Sequence, residues 1–291
     1  MKREELKSLI GVIITVLIGG GLAWAGSSNS VLLGSIPLFA LGIGYAFLIQ
    51  WLAFIPAYIF QTEKFYDLTG SITYISLVSL SLVLSGNFTF RAVLIAALVL
   101  IWAGRLGSFL FRRVISSGKD DRFDEIKPSF LRFLLTWTLQ GLWISFTVAA
   151  ALAGITSLKE VAAIDGLLIV GLLIWVFGFV FEVVSDSQKN NFRKDPVNKG
   201  KFIKTGLWSI SRHPNYFGEI TLWLGIAIMA IPSLTGWQWV VMISPVFVAL
   251  LITKISGVPL LEKKADARWG GQTEYEAYKA ATPVLLPKIK K

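Results

Sequence analysis

Residues 182–219 read EVVSDSQKNNFRKDPVNKGKFIKTGLWSISRHPNYFGE. Apolar runs near 164–184 and 217–231 flank this stretch, so the chain leaves one hydrophobic helix, makes a long polar excursion and enters another. Seven of its residues are basic: Lys189, Arg193, Lys194, Lys199, Lys201, Lys204 and Arg212. Asp186, Gln188, Asn190, Asn191, Asn215 and Glu219 add neutral or acidic hydrogen-bonding groups. That mixture suits an anionic, many-donor ligand such as a nucleotide cofactor held at a membrane surface.

The rest of the chain is oily. With 54% hydrophobic and 16% charged residues among 291, and a mean hydropathy of +0.65, it lies outside the range of soluble domains. About 20 helical residues cross the hydrocarbon layer. Runs of that kind occur near 9–25, 36–60, 71–85, 91–111, 130–153, 164–184, 217–231 and 237–255. The expectation is an all-α, polytopic membrane bundle of eight spans, with seven as the alternative. The short runs at 71–85 and 217–231 each borrow a turn from the polar residues before them. By organisation, residues 1–60 are expected to form N-terminal membrane helices and 61–291 a second region with long polar loops and an amphipathic tail.

Segments 1–8, 61–70, 112–129, 185–216 and 254–291 hold 24 of the 28 basic residues. By the positive-inside rule both termini face the cytoplasm. The net charge of +10 is then read as topology and attraction to anionic lipid rather than as the mark of a nucleic-acid partner. Lys2, Arg3 and Ala23-Trp24-Ala25 imitate a secretory signal, but Glu4 and Glu5 dilute the basic region and the run is long enough to span. Cysteine is absent and His213 is the only histidine, so no disulfide, thiolate chemistry or dedicated metal site is expected. Gly19-Gly20-Gly21 and other helix glycines are expected to permit close helix packing. Asn87-Phe88-Thr89 is read as a chance match to a glycosylation sequon.

Arg105 lies more than a turn inside its span, about 10 Å from the Arg112-Arg113 pair at 1.5 Å per residue. A charge there needs a partner or a wet cavity, or else it snorkels. Trp102 shares its helical face. Glu182, Asp186 and Arg193 fall on one face if their helix continues beyond the membrane, and Arg112, Arg113, Asp121 and Arg122 emerge from the same side. Pro214 suits a first helical turn, with Asn215 and Glu219 on one face and free N–H groups favouring phosphate. Glu262, Lys263, Lys264, Arg268, Trp269, Tyr275, Tyr278 and Lys279 form a basic amphipathic tail, lying on lipid or closing over the loops.

Asp186-x6-Arg193, Gly206-Leu207-Trp208, Arg212-His213-Pro214-Asn215-Tyr216, Gly218-Glu219, Arg268 and Tyr275-x-x-Tyr278 together resemble the C-terminal half of the membrane steroid 5-alpha-reductase superfamily. Over residues 60–290 the chain is similar to its bacterial DUF1295 branch. Thr62-Glu63-Lys64-Phe65-Tyr66-Asp67, Trp102-x-x-Arg105-Leu106, Gly118 to Phe123 and Trp137-x-x-Gln140-Gly141-x-Trp143 are of that type. The C-terminal pattern is shared with isoprenylcysteine-type methyltransferases.

The resemblance implies a helical reductase, in a bacterial inner membrane, that binds NADPH from the cytoplasm and reduces the carbon–carbon double bond of an enone lipid such as a steroid. It also implies that 61–291 is the catalytic region, with cytosolic cofactor loops. Asp186, Arg193, Asn215, Tyr216 and Glu219 would hold the cofactor, and Lys201 stands where the steroid enzymes use an arginine. Arg105, Arg268 and Tyr278 would contact its phosphates or close the site, with Arg113, Asp121, Arg122, His213 and Tyr275 completing the cofactor set. Trp102 and Gln140 would face the substrate. The steroid enzymes place a glutamate where Asp67 falls and a tyrosine where this chain has Trp102. An indole offers only an N–H, so Asp67 in its acid form or Tyr66 donates to the substrate oxygen, or the substrate differs. The runner-up is an S-adenosylmethionine-dependent methyltransferase acting on a lipid or lipidated thiol, which Glu262 fits, although its cofactor carries no phosphate. A transporter would need midplane polar residues and pseudo-repeats, and neither is present.

Overall fold

The structure is a computed structural model that describes residues 3–117 and 123–288, the side chains of 109–117 excepted. It is 78% helical and, among the described residues, eight helical segments are long and apolar enough to cross a membrane. The expected Arg113, Asp121 and Arg122 side chains lie outside the described part.

By packing, the chain forms two compact units, one of residues 1–168 and 229–244, the other of 169–228 and 245–291. The first unit holds α1 (Arg3–Gly26), α2 (Leu38–Ile59), α3 (Tyr66–Ser85), α4 (Phe90–Ser117) and α5 (Phe130–Thr156). A two-strand hairpin, β1 (Leu32–Leu33) with β2 (Ile36–Pro37), links α1 to α2. Helix α5 packs against α1, α2, α3 and α4. Its sequence explains that central place: every residue from Thr147 to Thr156 is buried, and most are Ala, Gly or Val, so neighbouring backbones approach closely. The N-terminal run forms a 24-residue helix packed on α2 and α5. Of its three consecutive glycines only Gly19 is a packing site; an added methyl would fall 2.6 Å from Phe47, whereas Gly20 and Gly21 meet nothing.

The two short spans lengthen as expected, α3 beginning at Tyr66 and α7 (Pro214–Ala230) at Pro214. In the second unit α6 (Gly166–Lys194) continues into the polar stretch, which places Glu182, Asp186 and Arg193 on one continuous helix. It crosses α7 at glycines. A methyl on Gly178 would lie 2.5 Å from the Leu222 nitrogen, and one on Gly225 2.5 Å from the Gly171 carbonyl oxygen. The last span differs from the expected 237–255. A 3-10 segment (Gly236–Met242), α8 (Ile243–Leu250), a π-helical turn (Leu251–Ile255) and α9 (Gly257–Trp269) follow one another, so helical structure runs on to Trp269. The tail ends in α10 (Thr273–Ala281).

Candidate functional site

Within the second unit, the end of α6, residues 201–213, α9 and α10 surround a cavity of about 300 Å³. Helix α6 presents Lys189 and, one turn on, Arg193. Gly206, at φ +60°, turns the chain so that the Gln188 amide oxygen accepts from the Leu207 N–H at 2.9 Å. That turn seats Trp208, 3% exposed, whose Nε1–H donates to the Ser185 carbonyl at 3.0 Å while Lys189 Nζ stands 4.4 Å from its ring. Phe202 packs against Tyr275, Tyr278 and Trp269, with ring centroids 5.2, 5.5 and 5.9 Å away. The Arg268 guanidinium lies 4.9 Å from the Trp269 ring.

The tail does more than lie alongside. Tyr278 donates its hydroxyl to the Trp208 carbonyl at 2.7 Å, and Tyr275 donates to Asp266 at 2.9 Å, which also accepts from Lys279 at 2.7 Å. Burial pushes both phenols well above their ordinary range, and Asp266 adds to the effect on Tyr275. Both hydroxyls therefore act as fixed donors. Past α10 the Arg212 and His213 N–H groups donate to the Pro283 and Val284 carbonyls at 2.9 and 3.1 Å, and the Lys288 N–H to Ile210 at 2.9 Å. The loop before α7 is held by main-chain bonds on the tail side.

His213, 5% exposed, makes a 2.7 Å hydrogen bond through Nε2 to Glu262, whose other oxygen lies 3.3 Å from Arg212. Its ring stacks on Tyr216 at 5.7 Å. Arg212 Nε, His213 Nδ1 and Asn215 Oδ1 are buried with no hydrogen-bond partner among the described residues. Three such atoms within four residues are costly unless a ligand or water meets them. Around the cavity stand six cations, Lys189, Arg193, Lys201, Arg212, Lys264 and Arg268, and one carboxylate, Glu262.

Of the residues expected from sequence, Arg193, Lys201, His213, Arg268, Tyr275 and Tyr278 line this cavity. Asp186 and Glu219 are half-buried on α6 and α7, and Asn215 and Tyr216 adjoin His213. Lys189, Arg212, Glu262, Lys264, Phe202, Trp208 and Trp269 also line it; all but Phe202 are marked in the sequence, in the basic loop, the quoted motifs or the tail, but are not in the expected contact set. The four-residue spacings Lys189–Arg193 and Lys264–Arg268 were the available signal.

The remaining expected residues belong to the first unit. Tyr66, 7% exposed, sits in an aromatic cluster with Phe54, Phe123, Phe133 and Trp137, and its hydroxyl donates to the Thr136 carbonyl at 3.0 Å. Asp67 occupies the first turn of α3. Gln140 donates through Nε2 to the Tyr66 carbonyl at 3.1 Å, and its Oε1 is buried with no partner among the described residues. Trp102 packs edge-on to Tyr74 at 5.1 Å, and Arg105 is half-buried one turn along α4. Glu63, 5% exposed, bonds Lys127 at 2.5 Å and ties the approach to α3 to the segment before α5.

Compared with known proteins, residues 53–282 match the model of DUF1295, a family described as protein of unknown function. A probable O-methyltransferase of Ustilaginoidea virens is 43% identical over 53 residues, 18% of either chain. 3-Oxo-5-alpha-steroid 4-dehydrogenase 1 of Bos taurus is 32% identical over 77 residues, 26% of this chain and 30% of the relative. A steroid 5-alpha-reductase of Gossypium hirsutum is 37% identical over 70 residues, 24% of this chain and 25% of the relative. The chain thus spans less than a third of the length of each. No solved structure matches it.

Proposed function

We propose that this chain, which belongs to the DUF1295 family, is a membrane reductase that uses NADPH to reduce the carbon–carbon double bond of an enone-type, steroid-like lipid. The observation that carries this reading is six cations against one carboxylate around an aromatic-walled cavity. A phosphorylated cofactor answers that excess; S-adenosylmethionine, with no phosphate, does not. The volume, about 300 Å³, is at the low end for small-molecule sites and suits one phosphorylated nucleoside portion of a dinucleotide. Arg193, Lys201, Lys264 and Arg268 would hold phosphate oxygens, and Trp208, Phe202 and Trp269 offer planes for a purine. Arg212 Nε and His213 Nδ1, buried with no partner among the described residues, are free to meet polar atoms of such a cofactor.

NADPH, when bound, supplies the hydride. The chain's part is to orient the cofactor, exclude water and stabilise negative charge developing on the substrate oxygen. For that last role the proposed groups are Asp67 and Tyr66, whose hydroxyl donates to the Thr136 carbonyl. Trp102 and Gln140 are the proposed substrate contacts, the Gln140 Oε1 accepting from a donor group. Asp186, Asn215, Tyr216, Glu219, Tyr275 and Tyr278 complete the proposed cofactor shell, Arg105 is a further proposed cofactor residue, and 61–291 is the proposed catalytic region with its cofactor side cytoplasmic.

A methyltransferase is the second reading, favoured by the Arg212–His213–Glu262 cluster and the O-methyltransferase relative. Titrating the detergent-purified protein with NADPH, NADH and S-adenosylmethionine separates the two by thermal shift and nicotinamide fluorescence. Saturable stabilisation by NADPH is expected; stabilisation by S-adenosylmethionine alone reverses the ranking.

A further inference from the structure

The first unit carries a cavity of different character. At the end of the bundle where α1, α3 and α5 finish, residues 86–90, 154–163 and 231–236 are knitted together. Asn87 Nδ2 donates to the Ile155 carbonyl at 3.1 Å, Ser157 to Ser233 at 2.8 Å and Lys159 Nζ to Leu234 at 3.3 Å. They enclose about 390 Å³, lined by Asn87, Thr89, Arg91, Ser157, Lys159 and Glu160 among others. Asn87 also accepts from the Thr89 hydroxyl at 2.8 Å, so the sequon-like triplet is a structural turn.

Arg91 is the unusual member, at 1% exposure. Its Nη1 donates to the Met229 carbonyl at 2.7 Å, and its Nη2 to Ala162 at 3.2 Å and Asp165 at 2.7 Å. Its Nε–H has no acceptor among the described residues. Buried donors are rarely left so. The charges also set the ligand's sign. Asp165 matches Arg91, which leaves Lys159 and Glu160, adjacent and exposed, as one cation and one anion at the cavity mouth. An anion alone would face Glu160, and a cation alone would face Lys159. A zwitterion satisfies both, its phosphate reaching Lys159 and Arg91 Nε and its ammonium reaching Glu160.

The surroundings identify the source. Exposed aromatics cluster at this end: Trp24 and Trp237, 68% and 67% exposed, lie 5.8 Å apart, and Phe88 and Phe90 flank the turn. Such residues gather at the headgroup level of a bilayer. We propose that this cavity binds the phosphate-ester headgroup of an amine-bearing zwitterionic phospholipid.

The test is a thermal-shift titration of the full-length protein in detergent with phosphatidylethanolamine, phosphatidylcholine, phosphatidylglycerol and soluble phosphoethanolamine. Phosphatidylethanolamine is expected to give the largest shift, because a quaternary ammonium cannot donate a hydrogen bond to Glu160. Lys159→Gln and Glu160→Gln, each read against its own lipid-free midpoint, should lose at least half of that shift. Equal shifts for all three lipids, a larger one for phosphatidylglycerol, no advantage of lipid over phosphoethanolamine, or variants that respond like the parent would each overturn the proposal.

Discussion

Asp165→Asn isolates the value of one buried charge. Arg91 is 1% exposed and Asp165 30% exposed, so the substitution leaves a buried guanidinium without its carboxylate. Breaking one side of a buried pair costs about 3–5 kcal/mol; the bonds to Met229 and Ala162 survive, which sets the expectation near the lower end. Adding Arg91→Met removes the stranded charge, and the remaining loss is two bonds to carbonyl groups, about 1–3 kcal/mol. The double variant should therefore be more stable than Asp165→Asn alone. The pair also has an acid signature. Burial pushes the Asp165 carboxyl up, but the Arg91 hydrogen bond and the Leu168 N–H outweigh it and hold it below 3.8. Its stabilisation is present above that unfolded value and is lost as pH falls through the lower folded one. Thermal unfolding followed by tryptophan fluorescence, from neutral pH downward, measures all three proteins. A double variant less stable than Asp165→Asn, or an Asp165→Asn protein as stable as the parent, would refute this account.

Arg193→Gln or Arg268→Gln should each weaken NADPH about tenfold, roughly one charge-assisted bond at an exposed rim, with the lipid-free melting point unmoved; fluorescence titration reads it. Gly178→Ala should destabilise by about 1–3 kcal/mol through overpacking against α7, while Gly20→Ala, facing open space, should not, as parallel melts would show. The Lys127 ammonium is raised above 10.5, first by its hydrogen bond to Glu63. The stability it contributes is complete below 10.5 and fades as pH climbs through the folded value, so Lys127→Met should flatten the alkaline limb of the stability profile.

The spans were legible because burial in lipid demands length and apolarity, and both are written along the chain. The starts of α3 and α7 were legible too, since Pro214 fits a first turn and Tyr66 opens a run that was otherwise too short. The broken final span was not. Apolar composition runs on through 239–255 and carries no information about whether each N–H reaches three, four or five residues back. The α6–α7 crossing had an overlooked signal: Gly171 and Gly178, like Gly218 and Gly225, are seven residues apart and so share a helical face. The cavity was half legible. Charge clustering flagged Arg193, Lys201 and Arg268, but the joining of Glu262 to Arg212 and His213 depends on α9 folding back to a loop some fifty residues earlier.

The main-chain latch between 283–288 and 210–213 bears on anyone who shortens this protein. Because amide and carbonyl groups carry it, side-chain substitutions in that terminal strip should be forgiven, whereas deleting it would free Arg212 and His213 together. Affinity handles and fusion partners therefore belong at the opposite terminus, or beyond Lys288 behind a flexible spacer.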